Sequence, residues 1–180
     1  MKRMTALILC LCFALALVGC GSDAPAATGP KDFVSILSAA RSEEDNSANV
    51  IFTYKDGKYA AHGAYAQDLT QKDIDSQAAM CMSMLGLVPE NIEEAAFSVS
   101  LMMVHSYGIA IVKPTGAAQP VIDGLQTFID GQKAAQQNYL ADQYEIASNA
   151  KLEKLRSGQV VLVMSEGQDK IFDSMEAALK

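Results

Sequence analysis

The chain has 180 residues, half of them apolar, with 14 basic against 21 acidic side chains and a net charge of −7. That length suits one domain with a core able to stabilise itself. The acidic balance argues against nucleic acid and against an electrostatic grip on anionic lipid, since both need clustered Lys and Arg.

The first nineteen residues stand apart. Lys2 and Arg3 precede a run without charge from Thr5 to Gly19. A run of that size approaches what a bilayer-spanning helix needs. A short basic head, an apolar stretch and a small-residue end are instead the layout of an export signal, set aside from the fold. Leu17-Val18-Gly19-Cys20 closes the stretch. These four residues resemble the bacterial lipobox. The resemblance implies a diacylglyceryl group on the Cys20 sulfur, cleavage between Gly19 and Cys20, and anchoring on the extracytoplasmic face of the cell membrane. Two or more acyl chains of the palmitate kind hold firmly, whereas one alone is marginal. Gly21, not Asp, follows Cys20, so no inner-membrane retention signal is visible. The small, turn-prone residues after Cys20, up to residue 30, read as a flexible tether with a reach of about 18 Å.

The rest, 31–180, reads as a single domain. Asp32 is placed to cap a helix with Phe33, Ile36, Leu37 and Ala40 on one face; the polar run from Arg41 to Asn49 ends it. Asp56-Gly57, between Tyr54 and Tyr59, signals a tight hairpin over Val50 to Ala61. Thr70 with Asp73 resembles a capping box. The helix after it carries Ile74, Ala78, Cys81 and Leu85, with Gly86 as C-cap and Pro89 as a break. A short helical turn is expected from Glu90 to Ala95. Phe97, Val99, Leu101 and Met103 alternate with Ser98, Ser100, Met102 and Val104, which predicts a strand with one drier face. His105-Ser106 turns the chain into a second strand, Tyr107 to Val112, with Gly108 as a weak point. Pro120 opens the best amphipathic helix, through Val121, Ile122, Leu125, Phe128, Ile129 and Gln132. Another helix is expected from Ala141 to Asn149, then a strand from Lys151 to Arg156. Val160 to Met164 is continuously apolar, as in a strand covered on both faces. Asp169 to Leu179 closes as a helix. Strands and helices are grouped, so the expected class is α+β, a mainly antiparallel sheet with helices packed on it.

Residues 33–165 also resemble a family of small uncharacterised lipoproteins from Gram-positive, mostly anaerobic bacteria. The resemblance lies in Ile92-Glu93-Glu94-Ala95-Ala96, in Ile109-Ala110-Ile111-Val112-Lys113-Pro114, and in Gln143-Tyr144 running through Ala147 and Ala150-Lys151 to Gly158-Gln159-Val160. It implies no activity and no active site.

Candidate chemistry is sparse. The four cysteines are Cys10, Cys12, Cys20 and Cys81; only Cys81 lies in the domain, so no internal disulfide frames it. Met80-Cys81-Met82-Ser83-Met84, with Met102, Met103 and His105, invites a copper(I) reading because thioethers and thiolates are soft ligands. Met80, Met82 and Met84 sit two apart on a predicted helix, however, which turns them to different faces, and Met commonly fills cores. Core packing is the better reading, and no metal or other cofactor is expected. Cys81 as a nucleophile needs His62 or His105 as its base, and no spacing supports that; both histidines read as turn residues. Glu43-Glu44 and Glu93-Glu94 read as solvated pairs flanking helices. Gly116, Gly124 and Gly131 are too dispersed for a phosphate loop, and no Gly-x-Ser-x-Gly occurs. The leading expectation is a non-catalytic, membrane-tethered module that binds a protein partner or small ligand, with no nucleic acid. An enzyme with a site assembled from scattered Asp, Glu, Tyr or Ser, and a Met/Cys metal sensor, are the alternatives.

Overall fold

A computed structural model describes residues 32–180, apart from residues 64 and 103; Gly19, Cys20 and the tether lie outside the described residues. Two side-chain caps open the domain. The Asp32 carboxylate accepts the Ser35 N–H at 2.8 Å and starts α1, Phe33–Ala40. The Ser42 hydroxyl accepts the Asp45 N–H at 3.0 Å and starts α2, Glu43–Ala48. Arg41 is the hinge between them. Strands β1, Ile51–Lys55, and β2, Lys58–His62, form the expected hairpin. Asp56 and Gly57 both take positive φ, 51° and 73°, the conformation a two-residue turn needs to match strand twist.

Helix α3, Gln71–Met84, begins with the predicted capping box: Asp73 N–H donates to Thr70 Oγ1, and Thr70 N–H donates to Asp73 Oδ2. It ends as the sequence suggests. Gly86 takes φ 66°, its N–H donates to the Ser83 carbonyl, and Leu87 N–H donates to the Met82 carbonyl. Those two bonds satisfy carbonyls that the last helical turn would otherwise leave open. Then come β3, Ile92–Val99, and β4, Gly108–Pro114. Next are α4, Gln119–Gln136, with Pro120 in its first turn, and α5, Ala141–Ser148. Strands β5, Lys151–Lys154, and β6, Val160–Met164, precede α6, Gln168–Leu179.

The six strands form one sheet in the order β2-β1-β3-β4-β6-β5, antiparallel at every pairing. This is a single α+β domain, as the grouping of elements implies. Alternate strand residues feed two cores. Phe97, Ala95, Val112 and Leu162 join Cys81 of α3, Leu85 at its C-terminal cap, and Leu125 and Phe128 of α4. Ala96, Ile109, Ile111, Val161 and Val163 join Ile36 and Leu37 of α1 and Phe172 and Met175 of α6. Helices cover both faces of the sheet, so β6 is buried along its whole length.

Several expectations fail, each for a physical reason. Glu90 to Ala95 is not a helical turn. Pro89–Asn91 form one turn of 3-10 helix, and from Ile92 the chain is strand. Glu93 and Glu94 therefore flank no helix; they sit on β3 and answer lysines on the neighbouring strands, Lys113 at 2.6 Å and Lys55 at 3.2 Å. The alternation from Phe97 outlasts the sheet. β4 starts at Gly108, which pairs with Val99, so the chain beyond Val99 has no partner strand, and Leu101, Met102 and Val104 stand exposed in a loop. Tyr107 precedes β4 instead of opening it. The serine-bearing face is not the wetter one, since Ser98 is fully buried. His62 ends β2 and is no turn residue. Among the described residues, no helix is long and apolar enough to cross a membrane.

Candidate functional site

Three central strands reach one end of the sheet together. Val99 at the end of β3 pairs with Gly108 at the start of β4, and Gly108 pairs with Met164 at the end of β6. The segments that leave the sheet here surround a cleft of about 860 Å³. Its walls are the α1–α2 corner, the loop before Tyr107, the side of α5 at Gln143 and Ile146, and the turn from Ser165 into α6. That volume lies in the range of small-molecule sites, about 300–1,000 Å³.

Buried polarity gathers at the same place. Five polar or charged side chains are buried among the described residues; Arg41, Ser98, Ser106 and Ser165 lie at this end, and the fifth, Gln136, belongs to α4. Arg41 is the charged one, at 6% exposure. Its Nε donates to Asn46 Oδ1 at 2.7 Å, Nη1 to Ser98 Oγ at 3.0 Å and Tyr107 Oη at 3.1 Å, and Nη2 to the Asn49 carbonyl at 2.8 Å. Ser98 Oγ in turn donates to the Val50 carbonyl at 2.8 Å. Four of the five guanidinium N–H groups are thus committed to neutral oxygens. None of the ion pairs among the described residues involves Arg41. A buried cation without a carboxylate beside it is costly, and protein interiors normally pair such a charge. Burial also pushes the Tyr107 phenol above its ordinary value, with the adjacent Arg41 pulling it partly back.

The loop is fixed at its base. Ser100 N–H donates to the Tyr107 carbonyl at 3.2 Å, and Ser106 N–H donates to Gln143 Oε1 at 2.8 Å. The Ser106 hydroxyl is buried without a hydrogen-bond partner, in a residue that lines the cleft. On another wall, Gly167 precedes α6 in the left-handed region, φ 66°, and provides no side-chain cap. The first turn of α6, including Lys170, faces the cleft and brings the positive end of a helix dipole there. Glu44, Asp45 and Glu166 line the same space.

The residues singled out in the sequence are dispersed. Cys81 is fully buried in the α3–α4 core, and desolvation pushes its thiol up to about 11. At neutral pH it holds almost no thiolate and does not react as a nucleophile. Met80 is 46% exposed and Met82 1%, so the methionines of α3 do point apart; Met82 Sδ accepts the Tyr59 hydroxyl at 3.5 Å. His105 reaches the cleft from the loop, whereas His62 stands at 3.5 Å from Thr53 Oγ1 in the β1–β2 hairpin. Among the described residues, no three His, Cys, Asp or Glu side chains converge as a metal set. Of the acidic pairs, only Glu44 lines the cleft. Arg41, Ser98, Ser106 and Tyr107 carry no local signal in the sequence that marks them as site residues. Arg41 meets Ser98 and Tyr107 across 57 and 66 residues of chain, a separation that no local pattern encodes.

An antiparallel sheet covered on both faces, with a polar cleft off one end, defines the class as an α+β domain built around a buried guanidinium. Residues 65–165 match the family described as "Domain of unknown function (DUF4358)", and the chain belongs to that family. The matched segment holds Ser98, Ser106, Tyr107 and Ser165, while Arg41 and Lys170 come from the flanks. No curated protein and no solved structure matches the chain.

Proposed function

We propose that the protein is a membrane-anchored lipoprotein, held through Cys20 on the extracytoplasmic face, whose domain is a non-catalytic module that binds a small ligand in the cleft beside Arg41. The single observation that carries the binding reading is Arg41, a buried cation without a carboxylate partner at the edge of an 860 Å³ cleft. The Leu17-Val18-Gly19-Cys20 signal supports the anchor. Anchoring and binding fit together, because a tethered receptor needs an open pocket and no chemistry of its own.

The two halves are tested separately. Palmitate incorporated in the producing cell is expected to label the protein and to vanish in Cys20→Ser; persistent labelling of that variant overturns the anchor. Native mass spectrometry of the whole protein, extracted in detergent from its own membrane, is expected to show a retained small-molecule mass that Arg41→Met loses. A bare mass under conditions that preserve other lipoprotein–ligand complexes overturns the small-ligand reading in favour of a protein partner.

A further inference from the structure

The charges around the cleft specify more than a site. Arg41 and Lys170 supply positive charge, and the uncapped first turn of α6 adds the helix dipole to it. Glu44, Asp45 and Glu166 supply negative charge. A simple anion entering this space gains Arg41 and meets three carboxylates. A simple cation gains the carboxylates but is repelled by Arg41 and Lys170. A ligand bearing both signs satisfies both groups at once.

On the basis of the binding reading above, we propose that the cleft takes a small zwitterion of the amino-acid or short-peptide class. Its carboxylate lies against Arg41, Lys170 and the start of α6, and its ammonium against Glu44, Asp45 and Glu166. A volume of about 860 Å³ exceeds what a single amino acid fills and suits a peptide of a few residues. Ala39, Ala40 and Ile146 on the walls are small or apolar and leave room for side chains without specifying them.

The test is isothermal titration of the whole protein in detergent with three probes: trialanine, N-acetyl-trialanine, which is only anionic, and trialanine amide, which is only cationic. Trialanine is expected to bind, and each blocked peptide to bind at least about tenfold more weakly, the effect of losing one charged partner. Lys170→Ala and Glu166→Gln change exposed side chains and leave the core intact. The first is expected to weaken trialanine several-fold while sparing the amide. The second is expected to do the same while sparing the acetylated peptide. Equal binding of all three peptides, or loss in neither variant, overturns the zwitterion while leaving the binding module in place. No saturable binding of any peptide also overturns it. A ligand mass retained in the native spectrum then keeps the binding reading, and a bare spectrum removes both.

Discussion

The two faces of the sheet are built differently. The face under α3 and α4 carries the larger and more densely packed core. Its core holds Phe97 against Phe52 with ring centroids 6.2 Å apart, and even its one thiol is sealed in. There α3 and α4 touch backbone to backbone, because Gly86 after α3 meets Gly124 of α4. The face under α1 and α6 has a smaller core, and its polar groups concentrate at one end, where Arg41 crosses from the helix corner to Ser98 and Tyr107. One face carries stability through close packing. The other gives up packing at its end to hold a charge beside open space. Binding sites occur where such a concession is made, since a fully packed face leaves nothing for a ligand to complete.

The largest effect is expected where packing is tightest. A methyl group on Gly124 would overlap the carbonyl oxygen and carbon of Gly86, and Gly86 is itself held at φ 66° by the α3 terminus. Neither backbone has a flexible end to move aside. Gly124→Ala is therefore expected to cost about 2–3 kcal/mol by forcing α3 and α4 apart, although alanine is the better helix former. Urea denaturation measures it. A neutral or stabilising result breaks the picture of a rigid face.

Arg41→Met sharpens the other side. Two effects oppose each other: the variant removes a buried charge that lacks a counter-ion, and it leaves the Tyr107 hydroxyl, the Asn46 amide and the Asn49 carbonyl without their donor. The expected net loss is about 1 kcal/mol, less than for Gly124→Ala, together with full loss of ligand retention. The same urea curve reads the first quantity and native mass spectrometry the second. A loss larger than that of Gly124→Ala would make Arg41 the main pin of this face and its role structural.

How much of this was legible in sequence depends on the distance over which each signal acts. The helix caps at Asp32 and Thr70, the Asp56-Gly57 hairpin, the Gly86 terminus and the apolar β6 are local, because their partners lie within a few residues. They emerge in the structure as the sequence implies. The strand after Phe97 misled because alternation reports a two-residue period and not the presence of a neighbouring strand; β3 stops where β4 begins. The cleft was not legible at all. Arg41 reads as one polar residue in a polar run, and its meaning comes from Ser98 and Tyr107, which the sheet brings to it.

The smallest effect compares the two faces through their first helices. Asp32 caps α1, and Asp73 closes the capping box that Thr70 opens on α3. In each, hydrogen bonds at the helix start hold the carboxyl below its ordinary 3.8: the backbone bond from Ser35 leads for Asp32, and the side-chain bond from Thr70 for Asp73. A depressed folded-state pKa means that the native form binds protons less readily than the unfolded chain. The stabilisation is therefore complete above the ordinary value and is lost as pH falls through the folded one. Both groups are open to solvent, so each contribution is small. Stability measured from pH 5 down to pH 2 is expected to fall, and Asp32→Asn and Asp73→Asn are each expected to flatten part of that fall, since asparagine keeps the cap without the titrating charge. Hydrogen exchange separates the two: Asp32→Asn is expected to alter the acid response of α1 amides alone, and Asp73→Asn that of α3 amides alone. If either variant changes both helices equally, the faces respond as one cooperative unit and the division between a packing face and a binding face does not extend to their stability.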